Sequence, residues 1–147
     1  MPGVGLGVII LNDENKVLLI LRNDDPALAD SDMRLEGTWT LPAGKIKTNE
    51  TIFEAAIRKV LQEVNLEISD LEIVSIADDI NEYAHFVTIG ILAHNYDGNI
   101  TLGDTKEHVA YDYYDLDNLP DNLCLPSKKI LDNYLKKRLY KEEKYDR

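Results

Sequence analysis

The chain has 147 residues, 44 % of them hydrophobic and 29 % charged, which suits one globular domain with a single core. Its 16 Lys and Arg against 27 Asp and Glu leave a formal charge of −11, a field that repels a nucleic-acid polymer but still admits a small phosphorylated ligand wherever a local cation outweighs distant, screened charge. The lone cysteine, Cys124, excludes an internal disulfide and a cysteine-rich zinc site, and it sits in NLCLPS as a small hydrophobe.

From the N-terminus, MPGVGLGVII carries no basic leader, and no apolar run approaches the roughly 18 residues of a membrane span, so a cytoplasmic protein without a membrane partner is expected. Val4, Leu6 and Val8 alternate with Gly3, Gly5 and Gly7, and a second apolar run, VLLILR, follows the turn NDENK; the pattern predicts a β-hairpin. The bare glycine face suits either a flat ligand or tight packing. Residues 23–37, NDDPALADSDMRLEG, form a long polar loop broken by Pro26, and TWTLPAG follows as a short strand.

Thr51 and Glu54 have capping-box spacing and start a helix. Phe53, Ala56, Ile57, Val60 and Val64 make its apolar side, with Glu54, Arg58, Lys59 and Gln62 opposite and Glu63 at the border. Asn65 supplies the left-handed stop. Strands are expected at LEIVSIADDI and HFVTIGILAHN around NEYA, then a turn at NYDGN, a polar stretch ITLGDTKEH, and a last strand in VAYDYYDLDNLP. Pro126 opens a terminal helix over about 126–142, with Ile130, Leu131, Tyr134, Leu135 and Leu139 on one stripe, running into a charged tail. Trp39, Tyr111, Tyr113 and Tyr114 are read as core or strand-face residues, and His85, His94 and His108, which lack a partner at ligand spacing, as structural.

Residues 44–66, GKIKTNETIFEAAIRKVLQEVNL, resemble a Nudix box, G-x5-E-x7-R-E-U-x-E-E-x-G-U with U a bulky aliphatic. Gly44, Glu50, Arg58, Val60, Glu63 and Leu66 match; Lys59, Gln62 and Asn65 replace two glutamates and the glycine. The flanks, GTWTLPAGK before and EH with YDYYDLDNLP after, are similar to the family too. The resemblance implies a single MutT-like Nudix domain over 1–147, an α/β/α sandwich around a mixed sheet. It also implies a pyrophosphatase activity on a nucleoside diphosphate linked to another moiety, such as a nucleoside triphosphate or a nucleotide-sugar of the ADP-ribose class. Homodimers are common in the family.

Such chemistry needs magnesium or manganese to neutralise charge and acidify water, and ions of that kind need carboxylates. By resemblance, Glu63 and Glu107 are the catalytic and metal-binding acids, with Gln62 lending a carbonyl oxygen. Arg22, Gly44, Lys45 and Lys59 face the phosphates, while Glu50 and Arg58 brace the loop. Where the family offers three glutamates, this chain offers Lys59, Gln62 and Glu63, and at about 5 Å and an effective dielectric near 20 each charge pair is worth on the order of 3 kcal/mol. A weak Mg2+ site follows. Two readings stay open: a slow or specialised hydrolase, and a non-catalytic nucleotide-binding or regulatory domain in which Lys59 takes over part of the ion's task. Lys59 and Glu63, spaced i, i+4, also suit an ordinary solvated surface pair.

Overall fold

The computed structural model describes residues 1–144. In chain order the elements are β1 (Gly3–Ile10), β2 (Val17–Arg22), β3 (Trp39–Thr40), β4 (Ala43–Lys45), α1 (Ile52–Val64), β5 (Glu67–Ile80), β6 (His85–Asp97), β7 (His108–Tyr114) and α2 (Leu125–Leu135). They form a mixed sheet in the order β4-β1-β6-β5 and a smaller antiparallel sheet in the order β3-β2-β7.

The expected N-terminal hairpin is not there. β1 runs parallel to β6 over its whole length and antiparallel to β4, while β2 pairs with β3 and β7; among the described residues the two segments share β-pairing at the bridge Leu11–Val17 alone and otherwise touch through core side chains. A strand with both faces covered is apolar throughout, so its period does not reveal whether its partner is local or distant. The short strand expected in TWTLPAG is likewise two strands in two sheets, β3 and β4. The hairpin around 81–84 does form, with β5 and β6 longer than their apolar cores and a bulge at Ile73/Ser75.

The layering is α/β/α. Leu6, Val8 and Ile10 of β1 join Ile89, Ile91 and Ala93 of β6 and the α1 residues Ala55, Ala56, Val60 and Val64 in one core. Ile9 and Leu92, on the opposite sheet face, pack with Leu41 and with Ile130 and Leu131 of α2 in the other. α2 comes close because Gly7 and Gly90 are register partners, leaving a patch without side chains under Ile130. A Cβ on Gly7 would stand 2.8 Å from Ile130 Cδ1, and one on Gly90 2.6 Å from Ile130 Cγ2 and 2.7 Å from Ser75 Cβ. Gly3 is filled in the same way by the Phe86 ring, whereas Gly5 meets only Gly44 O and the edges of Phe86 and Thr88.

α1 begins and ends where expected: Thr51 N donates to Glu54 Oε1 at 2.9 Å, Glu54 N donates to Thr51 Oγ1 at 3.1 Å, and Asn65 closes the helix at φ 63°. Its buried face is turned from the expected one. Phe53 and Ile57 are exposed, while Ala55 and Glu63 are buried, because loop 98–107 and β4 cover that side. α2 stops at Leu135 rather than near 142, leaving Leu135 and Leu139 exposed. Residues 145–147 of the expected tail lie outside the described residues. Among the described residues no helix is long and apolar enough to cross a membrane.

Candidate active site

A cavity of about 680 Å³ opens between the two sheets and loop 23–38. Its floor includes Gly5, Gly7, Thr88 and Ile130, and its polar end gathers Arg22, Gly44, Lys45, Lys59, Glu63, Glu107 and His108. Seven residues from α1, three strands and one loop thus converge on one wall.

Glu63 anchors that wall. It is 8 % exposed; Oε1 accepts from Ala43 N at 2.9 Å, and Oε2 faces Lys59 Nζ at 3.7 Å and His108 Nε2 at 3.8 Å. Burial pushes its carboxyl up to about 7, against the downward pull of Lys59, the Ala43 amide and Arg22, while Glu107 adds to the rise. Glu63, expected at the border of the apolar side, is therefore inside it. Lys59, three-quarters buried on its side chain, lies across Gly44, where a Cβ would collide with the lysine stem. Here the glycine makes room for the lysine stem.

Loop 98–107 brings the second acid. Thr101 N and Gly103 N donate to Val64 O and Glu63 O, both at 3.0 Å, so the loop satisfies the free carbonyls at the end of α1; Gly103 has no room for a Cβ against Gln62 O. The Asp104 carboxylate accepts from the amides of Lys106 and Glu107, which fixes the turn and holds its carboxyl below the usual range. β7 then starts with His108 opposite Arg22, across a bulge between Leu21 and Arg22. Such a bulge re-aims side chains at the end of a ladder. Arg22 donates from Nη2 to Ala29 O and Asp30 O at 2.9 and 3.0 Å, and from Nη1 to Glu107 Oε1 at 3.4 Å. Its guanidinium ties loop 23–38 to Glu107 as well as lining the cavity.

The brace is bidentate. Arg58 donates from Nε to Glu50 Oε2 at 2.6 Å and from Nη2 to Glu50 Oε1 at 2.9 Å, and Nη2 also reaches Lys45 O at 3.0 Å. The guanidinium hydrogen bonds hold the Glu50 carboxyl near 2 and raise Arg58 further. Lys45, at the cavity mouth, pairs with Asp32 at 2.5 Å and stands 5.8 Å over the Phe86 ring. Gln62 is corrected: it is exposed, does not line the cavity, and its Oε1 accepts from Arg58 Nη1 at 3.4 Å.

His108 is the residue that sequence spacing missed. It is 2 % exposed, with Nε2 making no hydrogen bond, and Glu63, Glu107 and His108 each offer a ligand atom within 4.8 Å of the others. Burial lowers its basicity, with Arg22 and Lys59 acting the same way and Glu107 opposing. The signal lay in EH at a loop-to-strand junction, where neighbouring side chains have not yet begun to alternate. His94 instead pairs with Glu72 at 2.8 Å on the surface, and Trp39 stacks edge-on against Tyr114 at 5.2 Å, away from the cavity.

A cation fits these residues. Among the described residues, a carboxylate buried with one ammonium at 3.7 Å has an unpartnered imidazole nitrogen beside it, a donor set into which a divalent ion would fit.

A family model described as NUDIX domain matches residues 1–134. An ADP-ribose pyrophosphatase from Methanocaldococcus jannaschii is 29 % identical over 92 % of this chain and 74 % of its own length. The NAD-capped RNA hydrolase NudC of Photorhabdus laumondii is 33 % identical over 69 % of this chain, which spans only 38 % of that protein. Among solved structures, a MutT NUDIX hydrolase from Burkholderia pseudomallei superposes with a TM-score of 0.79 at 27 % identity, covering 90 % of this chain and 98 % of the other.

Proposed function

The chain belongs to the Nudix family, and from that premise we propose that residues 1–147 act as one domain hydrolysing the pyrophosphate bond of a nucleoside diphosphate linked to another moiety, with ADP-ribose-class compounds ahead of nucleoside triphosphates. One observation carries it: the buried Glu63 carboxylate, braced from Ala43 N, aims its other oxygen into a cavity whose rim holds Arg22, Lys45 and Lys59. A cavity of about 680 Å³ is roomy enough for a nucleotide.

Glu63 and Glu107 would hold a divalent ion, whose contribution is to screen the phosphate oxygens and acidify water. Lys59 and Lys45 bind the diphosphate charge, and Gly44 lets the loop backbone approach it. The Arg58–Glu50 pair fixes the loop so that Gly44 and Lys45 keep their place. In the reaction the water oxygen joins one phosphorus, the bridging P–O bond breaks, and the water proton goes to solvent through an acidic side chain of the site.

The rival reading, a nucleotide binder without turnover, draws on Lys59: its ammonium already stands 3.7 Å from Glu63 and does part of a metal ion's work. Incubation with ADP-ribose, nucleoside triphosphates and dinucleoside polyphosphates, with Mg2+ or Mn2+, followed by phosphorus NMR, separates the two. Turnover that vanishes in Glu63→Gln supports the hydrolase. Absence of turnover, with nucleotide binding that survives EDTA and is lost in Lys59→Ala, supports the binder.

A further inference from the structure

We propose that His108 is a nitrogen ligand, so that Glu63, Glu107 and His108 form a mixed oxygen–nitrogen site taking a divalent transition ion such as Mn2+ in preference to Mg2+. The inference shares its site with the hydrolase reading and concerns which ion that site selects.

A buried polar nitrogen left without a partner costs about 1–3 kcal/mol, so core histidines ordinarily find one. His108 Nε2 has none, although two carboxylate oxygens stand near it, Glu63 Oε2 at 3.8 Å and Glu107 Oε1 at 4.0 Å. Those separations are too long for hydrogen bonds and close to what a shared ion imposes. Ligand atoms bound to one ion at about 2.1 Å stand about 3 Å apart when adjacent and about 4 Å apart when opposite. The three atoms lie within 4.8 Å of one another, a spacing that small side-chain rotations close.

The main chain holds the arrangement in place. His108 is seated by the Leu21/Arg22 bulge, and Glu107 N is hydrogen-bonded to Asp104 Oδ1 at 3.1 Å. The Glu107 side chain keeps its rotational freedom apart from the contact of Oε1 with Arg22 Nη1 at 3.4 Å, so its carboxylate can swing toward the buried imidazole. Donor type then decides the ion. Mg2+ takes oxygen and water and is reluctant to shed its hydration for nitrogen, whereas divalent transition ions accept imidazole readily. Replacement of acids by Lys59 and Gln62 in α1 leaves few carboxylates for Mg2+ and makes the nitrogen donor count for more.

The test uses the full chain, stripped with EDTA and titrated with Mn2+ without substrate, with free Mn2+ read by EPR. Pulsed EPR of the bound ion should show a 14N coupling that converts to the 15N pattern when only histidine is 15N-labelled, and Mg2+ should displace Mn2+ only at tenfold or greater excess. His108→Gln, confirmed folded by its melting curve, should lose the coupling and at least tenfold in Mn2+ affinity. Bound Mn2+ without nitrogen coupling, or displacement at equal Mg2+, overturns the inference; both are read on the unsubstituted chain, so a misfolded variant cannot shield it. Nitrogen coupling without any turnover supports the inference and sinks the hydrolase reading alone, while turnover with no coupling does the reverse.

Discussion

Replacing Glu63 by Gln should make the metal-free protein more stable above neutrality, although it deletes half of an ion pair. Burial raises the Glu63 carboxyl from 4.5 to about 7 in the folded chain. A group raised on folding favours the native state fully below its unfolded value and loses that advantage as pH climbs through the folded one. At about 1.4 kcal/mol per factor of ten, the loss between pH 4.5 and 7 approaches 3 kcal/mol. The Lys59 attraction is already inside that figure. Gln keeps an acceptor for Ala43 N and carries no charge to bury, so it escapes the penalty. Melting curves in EDTA from pH 4 to 8.5 should show the two proteins level at the acid end and diverging upward. For a chain of this size the variant should melt roughly 6–12 °C higher at pH 8. Equal melting temperatures at pH 8, or a variant less stable there, would refute the claim that this carboxylate is desolvated beyond what Lys59 compensates. Saturating Mn2+ should reverse the order, because the ion binds only the native carboxylate.

Three further outcomes follow from other parts of the molecule. Gly90→Ala pushes a methyl against Ile130 and Ser75 and should cost about 1–3 kcal/mol in urea denaturation, with Ile130→Ala recovering part of it in a double-mutant cycle. Lys129→Met removes the ammonium 3.3 Å from the fully buried Asp79, between β5 and α2, and a loss of about 3–5 kcal/mol should appear in the same assay. A loss under about 1 kcal/mol would show that the other contacts of Asp79, Thr88 Oγ1 at 2.5 Å from Oδ2 among them, hold it without the lysine. Thr51→Ala removes the Glu54 N acceptor at the start of α1 and should cost about 1 kcal/mol, visible in faster amide hydrogen exchange across the first turn.

Local chemistry was easy to read. Thr51, Glu54 and Asn65 marked α1 to the residue because caps depend on neighbours in the chain. Strand partners were another matter: VGLGVII has the same pattern whether it folds back on VLLILR or lies beside HFVTIGIL, and only the second occurs. The site divided along the same line. Glu63, Glu107 and Lys59 could be named from the box frame and its surroundings. Neither the burial of Glu63 nor the convergence of His108 is written in any short spacing, since both depend on loop 98–107 folding over the end of α1. Gln62 failed for the opposite reason: it shares a turn with Glu63 but points to solvent, within reach of Arg58. The expected length of α2 failed because Leu135 and Leu139 kept helical spacing past the point where the sheet ends and nothing remains to cover them.

The carbonyls of Glu63 and Val64 that receive Gly103 N and Thr101 N, with the Asp104 carboxylate that holds the turn before Glu107, join the two acids. The backbones that carry Glu63 and Glu107 are therefore tied to each other like the two arms of a clamp, while the side chains make the final approach. A residue inserted between 98 and 106 would shift the main chain of Glu107 against that of Glu63 without altering either acid.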